Sequence, residues 1–361
     1  MGFYELAEKA LALERAGKKL IRLNIGDTNL PTPQAAVEAA TASIRRTKSG
    51  YVSSAGISAL REKIAQREGC AMENVVVGPG SKHLIFGLLS VLGKKRVVFP
   101  SPYWPAYGLA AKQLRIRTKI MGTKMEDNWS FGLSGLSGIS EKDAVIICNP
   151  LNPTSTIYDS RMLEDSIAEA GGKGAIVVLD EAYRGLAFGD APVPRYTGTN
   201  VIRVRSFSKE FNMEGWRLGY AIAPEEISKR LTAFNHITAT CVAPFVQEAG
   251  IACLEHEEEI LGANRRVWLA RSLAAQEALS KAGFAFAKPE AGIYVFATHP
   301  RMNEMKGVKD ADGFALRLLE EQGIAVSPGS DFGHRTFIRI CVNQPEDTLR
   351  EAITRMGRLL Q

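Results

Sequence analysis

Residues 175–183 read AIVVLDEAY: five apolar residues in succession, then the carboxylates Asp180 and Glu181, then Tyr183. A strand with one wet face alternates apolar and polar residues, whereas an unbroken apolar run suits a strand buried on both faces. Similar short runs recur on either side: VVV (75–77), RVVFP (96–100), DAVIICNP (143–150) and VIRVRSFS (201–208). Amphipathic helical stretches such as HLIFGLLSVLG (83–93) lie between them. This alternation predicts an α/β fold with a mostly parallel sheet between helical layers.

The rest of the chain predicts a smaller α+β domain. From Pro224 the pattern turns helical, with a long helix from Glu257 to Lys281 that would link the two domains. AFAKPEAGIYVFATHP (285–300), a helix around Phe314 to Glu321, IAVSPGSDFG (324–333), TFIRICV (336–342) and a closing helix then alternate strand and helix. At the other end, residues 1–19 form a charged amphipathic helix pattern, LIRLNIG (20–26) reads as a strand ending at Gly26, and Pro33 can start the next helix. Another helix, with Ile57, Leu60 and Ile64 at helical spacing, follows the loop that carries Tyr51. The domain boundaries expected are 31–258 for the large domain, with 1–30 and 259–361 together forming the small one.

Composition sets broad limits. With 361 residues the chain is long enough for a large core, and its 45% hydrophobic and 23% charged residues are ordinary for a globular enzyme. The net charge of +6 comes from scattered basic residues, so nucleic-acid binding is not indicated. Five cysteines without a CxxC pair, and no histidine at metal-ligand spacing, point away from zinc and from a disulfide framework, and fit a reducing cytoplasm. No apolar run reaches membrane-spanning length. The histidines form no recognisable triad with a serine or cysteine, which leaves nucleophilic hydrolysis unsupported.

In a parallel sheet with helical crossovers, ligands bind off the C-terminal ends of the strands. Four polar motifs fall there: GPGSK (78–82), NPLNPTS (149–155), DEAY (180–183) and SFSK (206–209). GPGSK joins a strand to a helix and presents free backbone N–H groups, either as an anion site or as an ordinary glycine turn; it lacks the spacing of a nucleotide-binding P-loop. Lys209 stands between small hydroxyls at Ser206 and Ser208 and a glycine-bracketed arginine, Arg217, between Gly215 and Gly219. An amine beside phosphate donors suits a phosphorylated carbonyl cofactor, with the amine forming the Schiff base; the alternative is a pair of solvated surface charges. Asp180 can hold a pyridine nitrogen protonated, with Tyr183 near the ring oxygen, or Asp180 and Glu181 can be metal ligands. Asn152 reaches the same oxygen or only initiates a turn. Trp104, in SPYWPAY, is either core packing or a flat surface for an aromatic ring. Arg339 lies between Ile338 and Ile340, pointing away from the apolar face of its strand, where it either pairs with a surface carboxylate or receives a substrate carboxylate. Gly26 is a turn glycine or a point of close ligand approach.

Taken in order, GDTNLPTP, YVSSAG, GPGSK, SPYWPAY, NPLNPTS, DEAY, SFSKEFNMEGWRLGY and FIRICV resemble the class I/II aminotransferases, pyridoxal-phosphate enzymes of fold type I, along nearly the whole chain. SxSK with GxRxG and an upstream DExY is the most specific part. The resemblance implies a seven-stranded sheet in the large domain and a homodimer with shared active sites. It implies that Lys209 forms the Schiff base and acts as the base, that Asp180 pairs with the pyridine nitrogen, and that Tyr183 and Asn152 contact the ring oxygen. Gly80, Ser81, Lys82, Ser206 and Arg217 would hold the phosphate, Trp104 would stack on the ring, and Tyr51 would reach the partner's phosphate. Arg339 would clamp the substrate carboxylate, with Gly26 and Asn152 close by. The implied reaction moves the amino group of an amino acid to a 2-oxo acid in a ping-pong scheme.

One departure stands out. The family usually has glycine after NPxNPT, and here the position is Ser155. If that position needs a positive φ, serine strains it by roughly 1 kcal/mol or more. Rival readings are a carbon–sulfur β-lyase with the same residues, a non-catalytic effector-binding domain, and a nucleotide-binding α/β protein. For a substrate with two carboxylates, a second cation is needed, and Arg22, Lys82 and Arg184 are the candidates within the chain.

Overall fold

A computed structural model describes residues 3–46, 50–189, 193–305 and 307–361. Its centre is a seven-stranded sheet in the order 75–78, 219–222, 201–206, 176–180, 143–148, 96–100, 117–121. All neighbours pair parallel except the strand Gly219–Ile222, which is antiparallel to both of its partners. The central strands Asp143–Cys148 and Val201–Ser206 are buried along their whole length. Their Val and Ile side chains pack well on a pleated surface, and each one fully buried stabilises by roughly 1.5–3 kcal/mol.

Two of the seven strands were not foreseen from their residues. Arg117–Met121, RTKIM, is an edge strand whose Arg117, Thr118 and Ile120 are exposed, so it carries no continuous apolar run. Gly219–Ile222 is only four residues long, and its glycine reads locally as a turn.

The register fixes what the sheet offers at its edge. Cys148 pairs with Asp180 and Asp180 with Val204, so the central strands end side by side. Helices start directly beyond such ends: Gly80, at φ +85°, caps Ser81–Leu92, and Ser206 caps the one-turn helix Phe207–Glu210.

The second sheet is antiparallel throughout, in the order 327–328, 338–341, 294–298, 285–286. The long helix Glu257–Lys281 forms as expected, and the closing helix Glu346–Leu359 buries Leu349, Ala352, Ile353 and Met356, an i, i+3, i+4, i+7 stripe. The helix expected near Phe314 is Ala311–Arg317, which continues as a π-helical turn, Leu318–Gln322.

The expected strand over 20–26 is a correction: only Ile21–Arg22 pair, parallel to Ile324–Ala325. Leu23 still bonds backbone to backbone, donating to the Ala325 carbonyl and accepting from the Cys341 N–H, but beyond it the Asn24 carbonyl accepts instead from side chains, the Ser327 hydroxyl at 2.8 Å and Arg339 Nη2 at 2.9 Å. That detour carries Gly26 into the cleft between the sheets. Among the described residues no helix is long and apolar enough to cross a membrane.

Ser155 does adopt the left-handed conformation, at φ +60°. Its hydroxyl accepts a hydrogen bond from the Tyr294 backbone N–H at 3.1 Å, and its carbonyl accepts from the N–H groups of Glu290 and Ala291. Strain and hydrogen bond are of similar size, roughly 1 kcal/mol each. Ser155→Gly removes both and is expected to change stability by less than about 1 kcal/mol. Ser155→Ala keeps the strain and orphans the Tyr294 N–H, so it should cost about 1–2 kcal/mol; denaturant unfolding of the two variants side by side checks the order.

Candidate active site

The strand ends open into a cleft of about 1450 Å³ between the large sheet and the small one. It is lined by Gly26, Ser81, Lys82, Trp104, Asn152, Asp180, Tyr183, Ser206, Lys209, Arg217 and Arg339. Gly80 sits just behind this lining, against Arg217. Tyr51 does not line it: its side chain is 89% exposed.

Lys209 is placed by charge burial beneath it. On the strand before it, Arg205 is buried and its Nη2 donates to both carboxylate oxygens of Glu210, at 2.8 and 2.9 Å. Glu210 also accepts from the Gly185 N–H at 2.7 Å. Buried Glu68 accepts from Arg203 at 2.7 Å and from the Tyr220 hydroxyl at 2.8 Å. Burial alone would raise the Glu68 carboxyl, but Arg205, Arg67 and Arg203 outweigh it and hold it down at about 2. On the cleft side, Lys209 Nζ donates to the Gly26 carbonyl and lies 3.3 Å from the Glu214 carboxylate. The Thr28 N–H donates to that same Glu214 oxygen at 2.8 Å.

One end of the cleft is cationic. Arg217, itself at φ +58°, donates from Nη1 to the Glu214 carbonyl at 2.6 Å and from Nη2 to the Pro79 carbonyl at 3.3 Å. Lys82 lies over the Trp104 ring at 5.3 Å, and its ammonium is pushed down first by burial and then by Arg217 and Lys209. Lys82 and Arg217, beside the N-terminus of the helix Ser81–Leu92, favour a bound anion. At Gly80, φ is +85°, where a side chain is strained, and a Cβ there would also have to displace the tip of Arg217. The cationic end therefore fits a phosphate.

The other end is carboxylate and hydroxyl. Asp180 is 3% exposed and accepts from the Tyr107 hydroxyl at 2.6 Å and from the Ala182 N–H at 3.2 Å. Burial raises its carboxyl to about 6, against the lowering effect of the Tyr107 hydrogen bond. Among the described residues Asp180 has no cationic partner, and a protonated pyridine nitrogen would supply one.

Arg339 does not reach the surface: its whole strand, Ile338–Cys341, is buried on both faces, and the residue is 5% exposed. It donates to Asn152 Oδ1 at 3.3 Å, to the Asn24 carbonyl and to Ser327 Oγ, while its Nε has no acceptor. A buried guanidinium that lines the cleft fits a substrate carboxylate.

Sequence reasoning missed Tyr107, Glu214 and Tyr294. Tyr107 stands three residues after Trp104 in the quoted SPYWPAY, so its helical spacing was a usable signal. Nothing local marks Tyr294, which looks like one more apolar strand residue. Of the three cations offered for a second carboxylate, Lys82 lines the cleft, whereas Arg22 pairs with Glu14 at 2.9 Å and Arg184 donates to the Val193 carbonyl.

The sequence profile described as aminotransferase class I and II matches residues 18–356. The chain belongs to this family. It is 36% identical over 323 residues to an aspartate aminotransferase of Thermococcus kodakarensis, covering 89% of this chain and 84% of the relative. The crystal structure of the Thermotoga maritima aspartate aminotransferase superimposes with a TM-score of 0.91 at 29% identity, covering 99% of this chain and 96% of that one. The aspartate aminotransferase of Thermus thermophilus with maleate superimposes with a TM-score of 0.93 at 27% identity, over the same shares of the two chains. The fold is thus that of fold type I aminotransferases, as the motifs implied.

The raised Asp180 carboxyl has a testable consequence for the cofactor-free chain. Its ordinary value is 3.8 and its folded value about 6, so its contribution to stability is complete below 3.8 and is lost as pH rises through about 6. The loss is on the order of 2–4 kcal/mol. Asp180→Asn lacks this term, so the stability of the wild type relative to the variant should fall by that amount between pH 3.5 and about pH 8 in urea unfolding.

Proposed function

We propose that this chain is a pyridoxal-phosphate-dependent aminotransferase that moves the amino group of an amino dicarboxylate, aspartate first among them, to a 2-oxo acid in two half-reactions. The observation that carries this reading is the convergence in one cleft of an amine, Lys209, with a cationic anion-binding end, a buried carboxylate and a buried arginine. When bound, pyridoxal phosphate supplies a carbonyl that condenses with amines and a ring that accepts the electron pair left at the α-carbon.

The chain's own residues have separate tasks. Ser81, Lys82, Ser206 and Arg217 would hold the phosphate, with Gly80 giving the backbone room. Asp180 would hold the proton on the ring nitrogen, Tyr183 and Asn152 would hydrogen-bond the ring oxygen, and Trp104 would cover a ring face. Lys209 Nζ is the base that takes the substrate's α-proton, a role worth roughly 10²–10⁴-fold in rate. Arg339 binds the α-carboxylate, and Lys82 offers charge for a second one. We place the large domain at 31–258 and the small one at 1–30 with 259–361. Exposed Tyr51 is assigned to a homodimer, where it reaches the partner's phosphate. The five free thiols accord with a cytoplasmic location.

The test is an absorption spectrum of the purified chain with added pyridoxal phosphate, followed by a panel of amino acids and 2-oxo acids. Wild type should gain a visible band that aspartate bleaches and a 2-oxo acid restores. Lys209→Ala should not form the lysine-dependent band and should lose at least about 10²-fold in turnover. Pyruvate release from cystathionine without any oxo acid would instead indicate β-elimination, and the absence of a band in wild type would sink the reading altogether.

A further inference from the structure

Tyr294 touches both halves of the site, yet no role has been given to it above. Its ring lies under the Arg339 guanidinium, 4.3 Å from the carbon, with Phe332 a second aromatic surface at 4.7 Å. Its hydroxyl is 3.1 Å from the Tyr183 hydroxyl, and the two rings meet edge to face at 5.7 Å. Tyr183 Oη in turn lies 3.5 Å from Asn152 Nδ2, and Asn152 Oδ1 accepts from Arg339. These four side chains close a ring: arginine, asparagine, tyrosine, tyrosine, arginine.

Two further contacts fix Tyr294 within that ring. Its backbone N–H is held by Ser155 Oγ, on the loop that carries Asn152. Its hydroxyl fills the space beside Gly26, where a Cβ would collide with it. One buried side chain thereby sets the positions of three chain segments that are far apart in sequence.

Proton direction follows from donor counting. Asn152 Nδ2 is a donor, so Tyr183 Oη accepts from it. A cation over the face of Tyr294 draws electron density from that ring and makes its hydroxyl the better donor of the two. The contact itself allows either hydroxyl to donate; with Tyr294 as the donor, the Tyr183 proton is free to point into the cleft. Burial holds the Tyr183 hydroxyl well above its ordinary value, so it keeps that proton.

We propose that Tyr294 is a positioning residue that holds the carboxylate receptor Arg339 with its ring and aims the Tyr183 hydroxyl with its own. This rests on the proposed function, in which Arg339 meets substrate and Tyr183 meets the cofactor.

Two variants separate the two tasks. Tyr294→Phe keeps the ring and loses the hydroxyl: KM for aspartate and the Kd of maleate should stay within about twofold of wild type, while kcat falls roughly tenfold and the visible band of the cofactor-loaded chain shifts. Tyr294→Leu loses the ring, so KM and the maleate Kd should rise roughly tenfold or more. Calorimetric titration of maleate into the cofactor-free chain reads the Arg339 part without turnover. The proposal is overturned if both variants bind maleate as wild type does and leave the band in place, or if they change KM, kcat and the band alike, which is what loosened packing would do. Failure of wild type itself to transaminate would overturn the functional reading instead, and the maleate titration would still decide whether Tyr294 holds Arg339.

Discussion

A buried charge that cannot stand alone organises the middle of this protein. Arg205 lies on one of the interior strands of the large sheet, Val201–Ser206, is 2% exposed, and must find carboxylates inside the molecule. It finds Glu210 on the one-turn helix just beyond its own strand and Glu68 at 3.4 Å, at the end of the helix Ser58–Glu68. Removing one partner from such a pair typically costs about 3–5 kcal/mol because the other charge is left bare. The turn between Ser206 and Glu210 is thus fixed from below, and Lys209, which sits on that turn, can hold its amine toward the cleft. The same constraint explains why a four-residue helix, far too short to be stable by itself, keeps one conformation.

Above that anchor the cleft is divided by sign. Lys82, Lys209 and Arg217 gather at the end where Gly80 and Gly219 let backbones approach; a Cβ at Gly219 would come within 2.9 Å of the Ser81 nitrogen. Asp180 and Tyr107 form the opposite end, backed by Cys148, whose thiol is pushed up first by burial and then by Asp180. Between the two ends lie neutral donors and acceptors on Asn152, Tyr183 and Tyr294, with Arg339 on the small-sheet side. A ligand with an anionic tail, a cationic ring nitrogen and a separate carboxylate-bearing partner matches this order of charges, and a uniformly charged ligand does not.

Much of this was legible from local patterns. AIVVLDEAY and its neighbours carry a both-faces-buried signature because the strands they form are covered by helices on each side, and their polar endings fall where parallel strands deliver function. The edge strand RTKIM was not legible, since half of its residues face water and its pattern is that of a surface. Residues 20–26 failed in the opposite way: apolar Leu20, Ile21 and Leu23 suggest a longer strand than forms. Backbone pairing ends after Leu23, where the Asn24 carbonyl meets Arg339 and Ser327 instead of a neighbouring backbone.

By itself, then, the sequence pointed to the kind of fold, to the strand ends that open into the cleft, and to Lys209, Asp180, Arg217 and Arg339, which the fold brings to that cleft. Those depend on interactions within short windows: apolar runs, glycine turns, and hydroxyls next to an amine. Only the tertiary structure decided that Tyr107 supports Asp180, that Glu214 meets Lys209, that Arg339 is buried beside Asn152 and Ser327 and not at the surface, and that Tyr294 joins Gly26, Tyr183 and Arg339. Each of these contacts pairs side chains whose meeting depends on how separate elements pack, and packing selects partners by shape and unmet hydrogen bonds, which leave no periodic trace along the chain. The serine at 155 shows both sides at once: its departure from glycine was visible in the sequence, and the hydroxyl bond to Tyr294 that offsets its strained φ exists only in the folded molecule.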